Sequence, residues 1–316
     1  MASLWSGKSG WHDLASALGQ PGGQVYVHGL TPAAGAYVLA RLFHRLNRPL
    51  LLVTPDSGVH ETFLKNLDFF LGPDPAGDGG AWPRLLLFPA HEVLPFRELG
   101  FDPEVSCARV GAAYRLLTSR KPCLVVAPAV ALRQKLPPKS RLQDILAYVL
   151  PGENLDRTIF LTQLQEGGYE RRPVVEERGE FSVRGGIIDL FPPLYPQPLR
   201  LEFCGDEVES LRRFDPATQR SLGTLEDLVV LPANEVVLDD AAREHALARR
   251  KRRQDPQFWH QVQEGRHFPR IERHLAEFYP QPETLWDYLP PDTVVVEWDP
   301  LNLAQELQKL REQAPA

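Results

Sequence analysis

The first third of the chain alternates short apolar runs with segments of helical periodicity. The apolar runs predict four strands, at Gln24–His28, Pro49–Val53, Arg84–Phe88 and Cys123–Ala127. Helical spacing of apolar residues predicts helices between them, at Pro32–Leu46 and Ser106–Thr118. Apolar strands that alternate with helices favour right-handed crossovers and a parallel sheet covered on both faces.

From about residue 142 the pattern changes to strands in which every second residue is apolar. In Leu199–Cys204 the leucines and the phenylalanine point to one side, and Arg200, Glu202 and Cys204 point to the other. Glu180–Arg184 alternates in the same way, and Gly205-Asp206 supplies a two-residue turn into Glu207–Phe214. The pattern predicts a small antiparallel α+β unit with one face in water.

A last apolar run, Thr293–Glu297, precedes a helix that begins with Asp299 as its cap and Pro300 at its first position. A single parallel-type strand needs a partner, so we predict that this strand completes the first sheet. The predicted fold is therefore α/β: a parallel-sheet domain like that of P-loop helicases, interrupted by an inserted antiparallel α+β domain. The predicted segments are 1–141 (first part of the α/β domain), 142–232 (the insertion) and 233–316 (second part).

The turn after the first predicted strand has the position of a phosphate-binding loop without its chemistry. Such a loop needs a Lys for the outer phosphates and a Ser or Thr for magnesium, but Gly35 and Ala36 take these places downstream of Gly29. The second ATPase element needs an Asp-Glu pair at the end of a buried strand, where this chain has Trp298-Asp299. An ordinary βα turn describes the segment equally well. Both interpretations predict that the segment binds no ATP, and we predict no other cofactor.

Composition narrows the function classes. A net charge of -6 argues against a protein that coats nucleic acid, which needs a basic surplus. The three cysteines form no CxxC pair, the histidines are scattered, and no stretch approaches a membrane span. We therefore predict no metal site, no catalytic residues, no membrane contact and a cytoplasmic location. One dense basic run is a candidate DNA or acidic-partner contact, although a solvated helix face is the simpler interpretation: Arg249, Arg250, Lys251, Arg252 and Arg253.

Two long segments carry a specific motif. Gly179–Pro193 (GEFSVRGGIIDLFPP) and Leu199–Pro216 (LRLEFCGDEVESLRRFDP) resemble the excinuclease B subunit and the transcription-repair coupling factor family. His91–Phe96 with the later Arg109, and Glu283–Pro290, extend the resemblance over nearly the whole chain. The excinuclease B helicase has an intact ATP site and a tyrosine-rich hairpin, whereas residues 88–106 here contain no Tyr. The resemblance therefore favours the coupling factors.

This resemblance implies an amino-terminal module without ATPase activity, whose inserted domain recruits the excinuclease A subunit (UvrA). The family's docking surface maps onto Arg184 and Arg200, with Glu202 and Cys204 beside them, although the family usually has an aromatic residue at the position of Cys204. By pattern alone these are solvated strand residues. The resemblance also implies a monomeric fragment of a longer protein that binds RNA polymerase and double-stranded DNA through other domains. Two alternatives are a fragment of an ATP-dependent repair helicase and a DNA-binding module using the basic run.

Overall fold

The computed structural model describes residues 14, 16–18, 23–72, 84–91, 102–144, 147–249, 256–269 and 271–313. These residues form two compact units. The first unit takes the residues up to Phe88, then Ser119–Ala131, then the described residues from Leu289 onward. The second unit takes Pro89–Thr118 and Leu132–Tyr288.

The elements of the described residues are numbered here in chain order. The strands are β1 (Leu50–Thr54), β2 (Leu85–Leu87), β3 (Leu124–Pro128), β4 (Ala147–Val149), β5 (Glu170–Arg171), β6 (Glu180–Arg184), β7 (Ile187–Leu190), β8 (Leu199–Cys204), β9 (Glu207–Phe214), β10 (Ser221–Thr224), β11 (Leu228–Val230) and β12 (Val294–Glu297). The helices are α1 (Pro32–Leu46), α2 (Ser57–Leu71), α3 (Pro103–Thr118), α4 (Lys139–Asp144), α5 (Arg157–Glu166), α6 (Asp240–Ala248), α7 (Pro256–Gln263), α8 (Leu275–Phe278), α9 (Leu285–Tyr288) and α10 (Pro300–Gln313). Short 3₁₀ turns lie at Ala129–Arg133 and Ile271–His274.

The first unit is built on a parallel four-stranded sheet in the order β12-β1-β3-β2. Leu50 pairs with Leu124 on one side and with Val294 on the other, so the last strand of the chain lies beside the first of the sheet. Every residue of β1 and β3 is buried, because helices α1 and α2 pack their apolar stripes on these strands. The α/β class and these strands are confirmed.

The prediction of a strand at Gln24–His28 is wrong. Among the described residues, 23–28 pair with no strand, and Tyr26 is 72% exposed. A strand needs a hydrogen-bonded neighbour, and the segment does not pair with the edge strand β12. An apolar cavity of about 380 Å³, lined also by Val38 and Leu42 of α1, lies against this segment and β12.

The second unit contains a six-stranded sheet in the order β10-β9-β8-β7-β6-β5, antiparallel except for the short β5–β6 pair. The predicted alternation places Phe181, Leu199 and Leu201 in a fully buried core, which helix α5 covers with Phe160 and Leu164. A two-stranded antiparallel sheet, β4–β11, adds to the same core. The predicted antiparallel strands and the Gly205-Asp206 turn are confirmed.

Ser182 and Phe203 depart from the predicted alternation, and Val183 is only partly buried against the core. Ser182 should lie in water, yet it is buried, and its hydroxyl donates to the Pro173 carbonyl over 3.0 Å. Phe203 packs against the core but is only half-buried, because the strand register shifts between Glu202 and Phe203. The guanidinium of Arg157 lies 5.2 Å from the centre of its ring.

Candidate protein-docking surface

The cross-strand register gathers the charged residues of β7, β8 and β9 on one face of the six-stranded sheet. Asp189 pairs with Arg200, and Arg200 pairs with Arg212. Residues that lie directly opposite each other share a face. In the neighbouring row Ile187 pairs with both Arg184 and Glu202. The structure therefore brings Arg184, Arg200 and Glu202 together on one face, as the strand pattern predicted.

Asp189 links the two arginines. Its Oδ1 accepts from Nε of Arg200 over 2.7 Å, and its Oδ2 accepts from Nη2 of Arg200 over 2.9 Å. The same Oδ2 accepts from Nη2 of Arg184 over 2.6 Å. One carboxylate thus holds Arg200 by both oxygens and Arg184 by one, in the charge-assisted geometry that is stronger than a neutral hydrogen bond.

The two arginines differ in their exposure. The side chain of Arg184 is 48% exposed, whereas that of Arg200 is 14% exposed and that of Asp189 only 1%. The guanidinium of Arg200 also lies 4.8 Å from the ring centre of the buried Phe214. The hydrogen bonds that Arg200 donates to Asp189 raise the pKa of Arg200 above its usual value. Arg184 is therefore the more accessible contact, and Arg200 is largely built into the sheet.

Glu202 and Cys204 lie further along β8. Oε2 of Glu202 accepts from the Ser210 hydroxyl over 2.5 Å and is 3.2 Å from Nε of Arg212. Cys204 is an exposed free thiol at the end of the strand, opposite Glu207. The face therefore carries alternating positive and negative groups that are already paired with one another.

Sequence reasoning missed Asp189, Ser210 and Arg212. Asp189 is flanked by the apolar residues Ile188 and Leu190, so its segment has the sequence pattern of a buried strand. A signal was nevertheless present in the sequence. The two-residue turn Gly185-Gly186 would pair the strands of the motif as a hairpin. A buried carboxylate in a strand also requires a cationic partner. Aligning the two strands by this turn would have placed the acid opposite Ser182, on the same face of the sheet as Arg184.

The residues predicted to form a degenerate nucleotide site lie in the first unit. Gly29 has a φ of +79°, and Thr31 caps α1 by accepting from the Ala34 N–H over 3.3 Å. A Cβ added at Gly35 would stand only 2.6 Å from Cζ3 of Trp298. The Trp298 ring also packs on Phe63, with 4.7 Å between ring centres. The indole therefore occupies the space beside the turn where a larger side chain would lie.

The neighbouring residues of this site have ordinary structural roles. Ala36 is fully buried in α1, and Oδ1 of Asp299 accepts from the Asn302 N–H over 3.2 Å. Asp299 thus caps α10, as predicted, and Leu303 is the buried residue that anchors that helix. The side chains of the turn and of the strand end therefore make contacts within the protein itself.

A buried polar network lies elsewhere in the second unit and includes the family-like His91 and Arg109. Oε1 of Glu235 accepts from Nε of Arg109 over 2.7 Å, and Oε2 lies 2.6 Å from Nε2 of His91. Arg109 also donates to Oε1 of Gln134 and to the Pro89 carbonyl. Burial raises the pKa of Glu235, but the charges of Arg109 and His91 outweigh burial and lower it overall. The network ties together segments that are distant in sequence.

The remaining candidate features add little chemistry. Arg249 is exposed at the end of α6, and Arg250, Lys251, Arg252 and Arg253 lie outside the described residues. Among the residues that the structure describes, no group of three His, Cys, Asp or Glu could hold a metal ion. Within the same residues, no helix is long and apolar enough to span a bilayer.

Comparison with known families places the charged sheet in a defined class. Residues 148–236 match the UvrB interaction domain. This range contains Arg184, Asp189, Arg200, Glu202 and Cys204. The six-stranded sheet with its charged face is therefore part of an interaction domain of the UvrB type.

Longer matches extend beyond this domain. The chain is 40% identical over 227 residues to the transcription-repair-coupling factor of Myxococcus xanthus, a match covering 71% of this chain and 18% of the relative. It is 30% identical over 289 residues to that of Escherichia coli strain K12, covering 88% of this chain and 24% of the relative. For Haemophilus influenzae the identity is 29% over 286 residues, covering 89% and 24%. The chain belongs to the transcription-repair coupling factor family and spans about a fifth to a quarter of these relatives' length.

Proposed function

We propose that this chain is a non-catalytic interaction module of transcription-coupled nucleotide excision repair. It recruits the excinuclease A subunit (UvrA) to stalled RNA polymerase through the charged face of the six-stranded sheet. The observation that carries the proposal is the pair Arg184 and Arg200, joined by Asp189 within the UvrB interaction domain. Paired arginines on an accessible face suit a reversible contact with carboxylates of a partner.

The proposal assigns no ATPase activity to this chain. The parallel sheet is a degenerate P-loop-helicase-like fold in which Gly35 and Ala36 replace the phosphate-binding Lys and the magnesium-binding hydroxyl. Trp298 packs against the same turn. Calorimetry with Mg-ATP should give no binding heat, whereas micromolar binding would favour the alternative of a repair helicase.

We assign different roles to different segments of the chain. Segment 142–232 carries the docking surface, and segments 1–141 and 233–316 supply the strands of the parallel sheet of the α/β domain. RNA polymerase and double-stranded DNA are contacted by regions of the coupling factors that lie outside this match. The module itself acts as a monomer in the cytoplasm and needs no cofactor.

The experiment is a binding titration of the chain with UvrA from the same organism. Arg184→Ala and Arg200→Ala should each weaken binding by about 2–4 kcal/mol, as expected for arginine hot spots. Arg311→Ala, an exposed arginine on α10, is the matched control and should leave affinity unchanged. If both docking variants bind normally while Arg250→Ala abolishes binding, the docking face lies elsewhere and the basic run is the contact.

The two variants should separate in stability. Arg184 is half-exposed, so its removal should hardly change the melting temperature. Removal of Arg200 takes two of the three hydrogen bonds from the buried Asp189 and should cost about 1–3 kcal/mol of unfolding free energy. Binding of Arg200→Ala is therefore measured well below its melting temperature.

A further inference from the structure

The buried carboxylate of Asp189 is the common partner of both docking arginines. Asp189 is 1% exposed, so it is too deeply placed to contact a partner protein itself. All three of its charge-assisted bonds go to Arg184 and Arg200. Its influence on a partner must therefore pass through the positions of the two guanidinium groups.

The two guanidinium groups are held to different extents. Arg200 is fixed by a two-bond fork to Asp189 and by the Phe214 ring beneath it. Arg184 is attached by Nη2 alone, and within the described residues the structure gives no other hydrogen bond to its guanidinium. An arginine held at one nitrogen keeps further donors for a second, planar acceptor such as a carboxylate.

We propose that Asp189 is a positioning residue of the docking surface, which fixes Arg184 and Arg200 so that Arg184 receives a carboxylate of the partner. This inference rests on the proposed function. A long arginine side chain loses rotamer freedom when it binds, and a bond to Asp189 in the free protein removes part of that cost beforehand. The partner chemistry that fits is an Asp or Glu side chain on the docking face of UvrA.

Positioning and simple charge attraction make opposite predictions. Asp189 cancels one of the two positive charges of the arginine pair. If the arginines acted only as charges, neutralising Asp189 would make the face more positive and would tighten binding to an acidic partner. If Asp189 positions them, the same change weakens binding even though the face gains positive charge.

The test is Asp189→Asn, which keeps the size of the side chain and removes its charge. Titration with UvrA should show binding weaker by about tenfold, and in the Arg184→Ala background the same change should have a much smaller effect. Such non-additivity is the signature of a residue that acts through Arg184, and a merely structural role would give additive losses. Unchanged or tighter binding by a folded Asp189→Asn protein would overturn the inference.

A second variant keeps the test decisive if Asp189→Asn does not fold. Arg184→Lys changes the more exposed arginine of the pair and retains its positive charge. An ammonium, however, lacks the planar fork that engages two carboxylates at once. It should lose most of the affinity that Arg184→Ala loses. Full affinity in Arg184→Lys would show that a point charge suffices and would refute positioning. Absence of UvrA binding by the unaltered chain would instead refute the proposed function.

Discussion

A side chain at position 35 would meet the indole of Trp298, because a Cβ there would lie 2.6 Å from Cζ3 of the ring. Real Cβ atoms do not approach a neighbour so closely. The glycine and the tryptophan that follows β12 are therefore a matched pair. A lysine introduced at position 35 alone would displace the ring.

Gly35→Ala should lower the unfolding free energy by about 1–3 kcal/mol, through overpacking against Trp298. The sign is diagnostic, since Gly→Ala inside a helix ordinarily stabilises by roughly 0.5–1 kcal/mol. Denaturant unfolding measures the difference. Gly223→Ala is a control, because nothing lies within 4 Å of a Cβ at that position. A more stable Gly35→Ala protein would show that the Trp298 ring moves away without cost.

Leu201→Ala should destabilise the second unit by about 2–5 kcal/mol, since this side chain is fully buried in the core of the six-stranded sheet. Leu222→Ala makes the same chemical change on β10, where the leucine is 54% exposed, and should alter stability by no more than about 0.5 kcal/mol. Equal effects in chemical denaturation would mean that the two leucines do not differ in burial.

Glu235→Gln should destabilise the protein at neutral pH by about 3–5 kcal/mol, because it leaves buried Arg109 without its anionic partner. The pKa of Glu235 is lowered in the folded protein, so its stabilisation is present above the ordinary value of 4.5 and is lost as pH falls through the folded-state pKa. The stability gap between the parent and Glu235→Gln should therefore narrow below pH 4.5. Urea unfolding over a pH series measures it.

An exposed glutamate provides the control for this pH series. Glu244→Gln on α6 should leave both the stability and its acid dependence unchanged. A gap between the parent and Glu235→Gln that stayed constant into acid would mean that the pair with Arg109 does not control the titration of Glu235.

Cys204→Phe should leave UvrA affinity unchanged or improve it, since Cys204 is exposed at the edge of the charged face. A phenyl ring offers more contact area than a thiol, and the family resemblance of the sequence implies an aromatic residue at this position. Cys204→Ser, which changes polarity with little change in size, is the comparison in the same titration. Binding lost in Cys204→Phe and kept in Cys204→Ser would place this position where the partner allows no bulk.

The periodicity of apolar residues was sufficient to predict which face of a strand is buried. The alternation in β8 predicted which side of the sheet would be buried at Leu199 and Leu201, because a period of two leaves only one face for the core. It could not predict the half-burial of Phe203, since a bulge changes the register without leaving a mark in the residue types. Nor could it show that Gln24–His28 would lack a pairing partner.

The proposed docking residues divide in the same way. The strand pattern placed Arg184 and Arg200 on one face, but the difference in their exposure depends on Asp189 and Phe214, which lie on other strands. Cross-strand neighbours are a property of register, and the alternation within one strand does not specify which residues of the next strand lie opposite. The face on which each residue lies was predicted from its own strand. The contacts between residues of different strands were not.

The position of β12 beside β1 has a consequence for biosynthesis. All described residues of the second unit precede residue 289, whereas the parallel sheet of the first unit waits for Val294–Glu297. During translation the second unit is therefore complete in sequence while one edge of β1 still lacks its native neighbour, and an open strand edge invites wrong pairing. A ribosome that stalled between Tyr288 and Val294 would carry the complete sequence of the second unit, with the proposed docking surface, beside an unfinished parallel sheet.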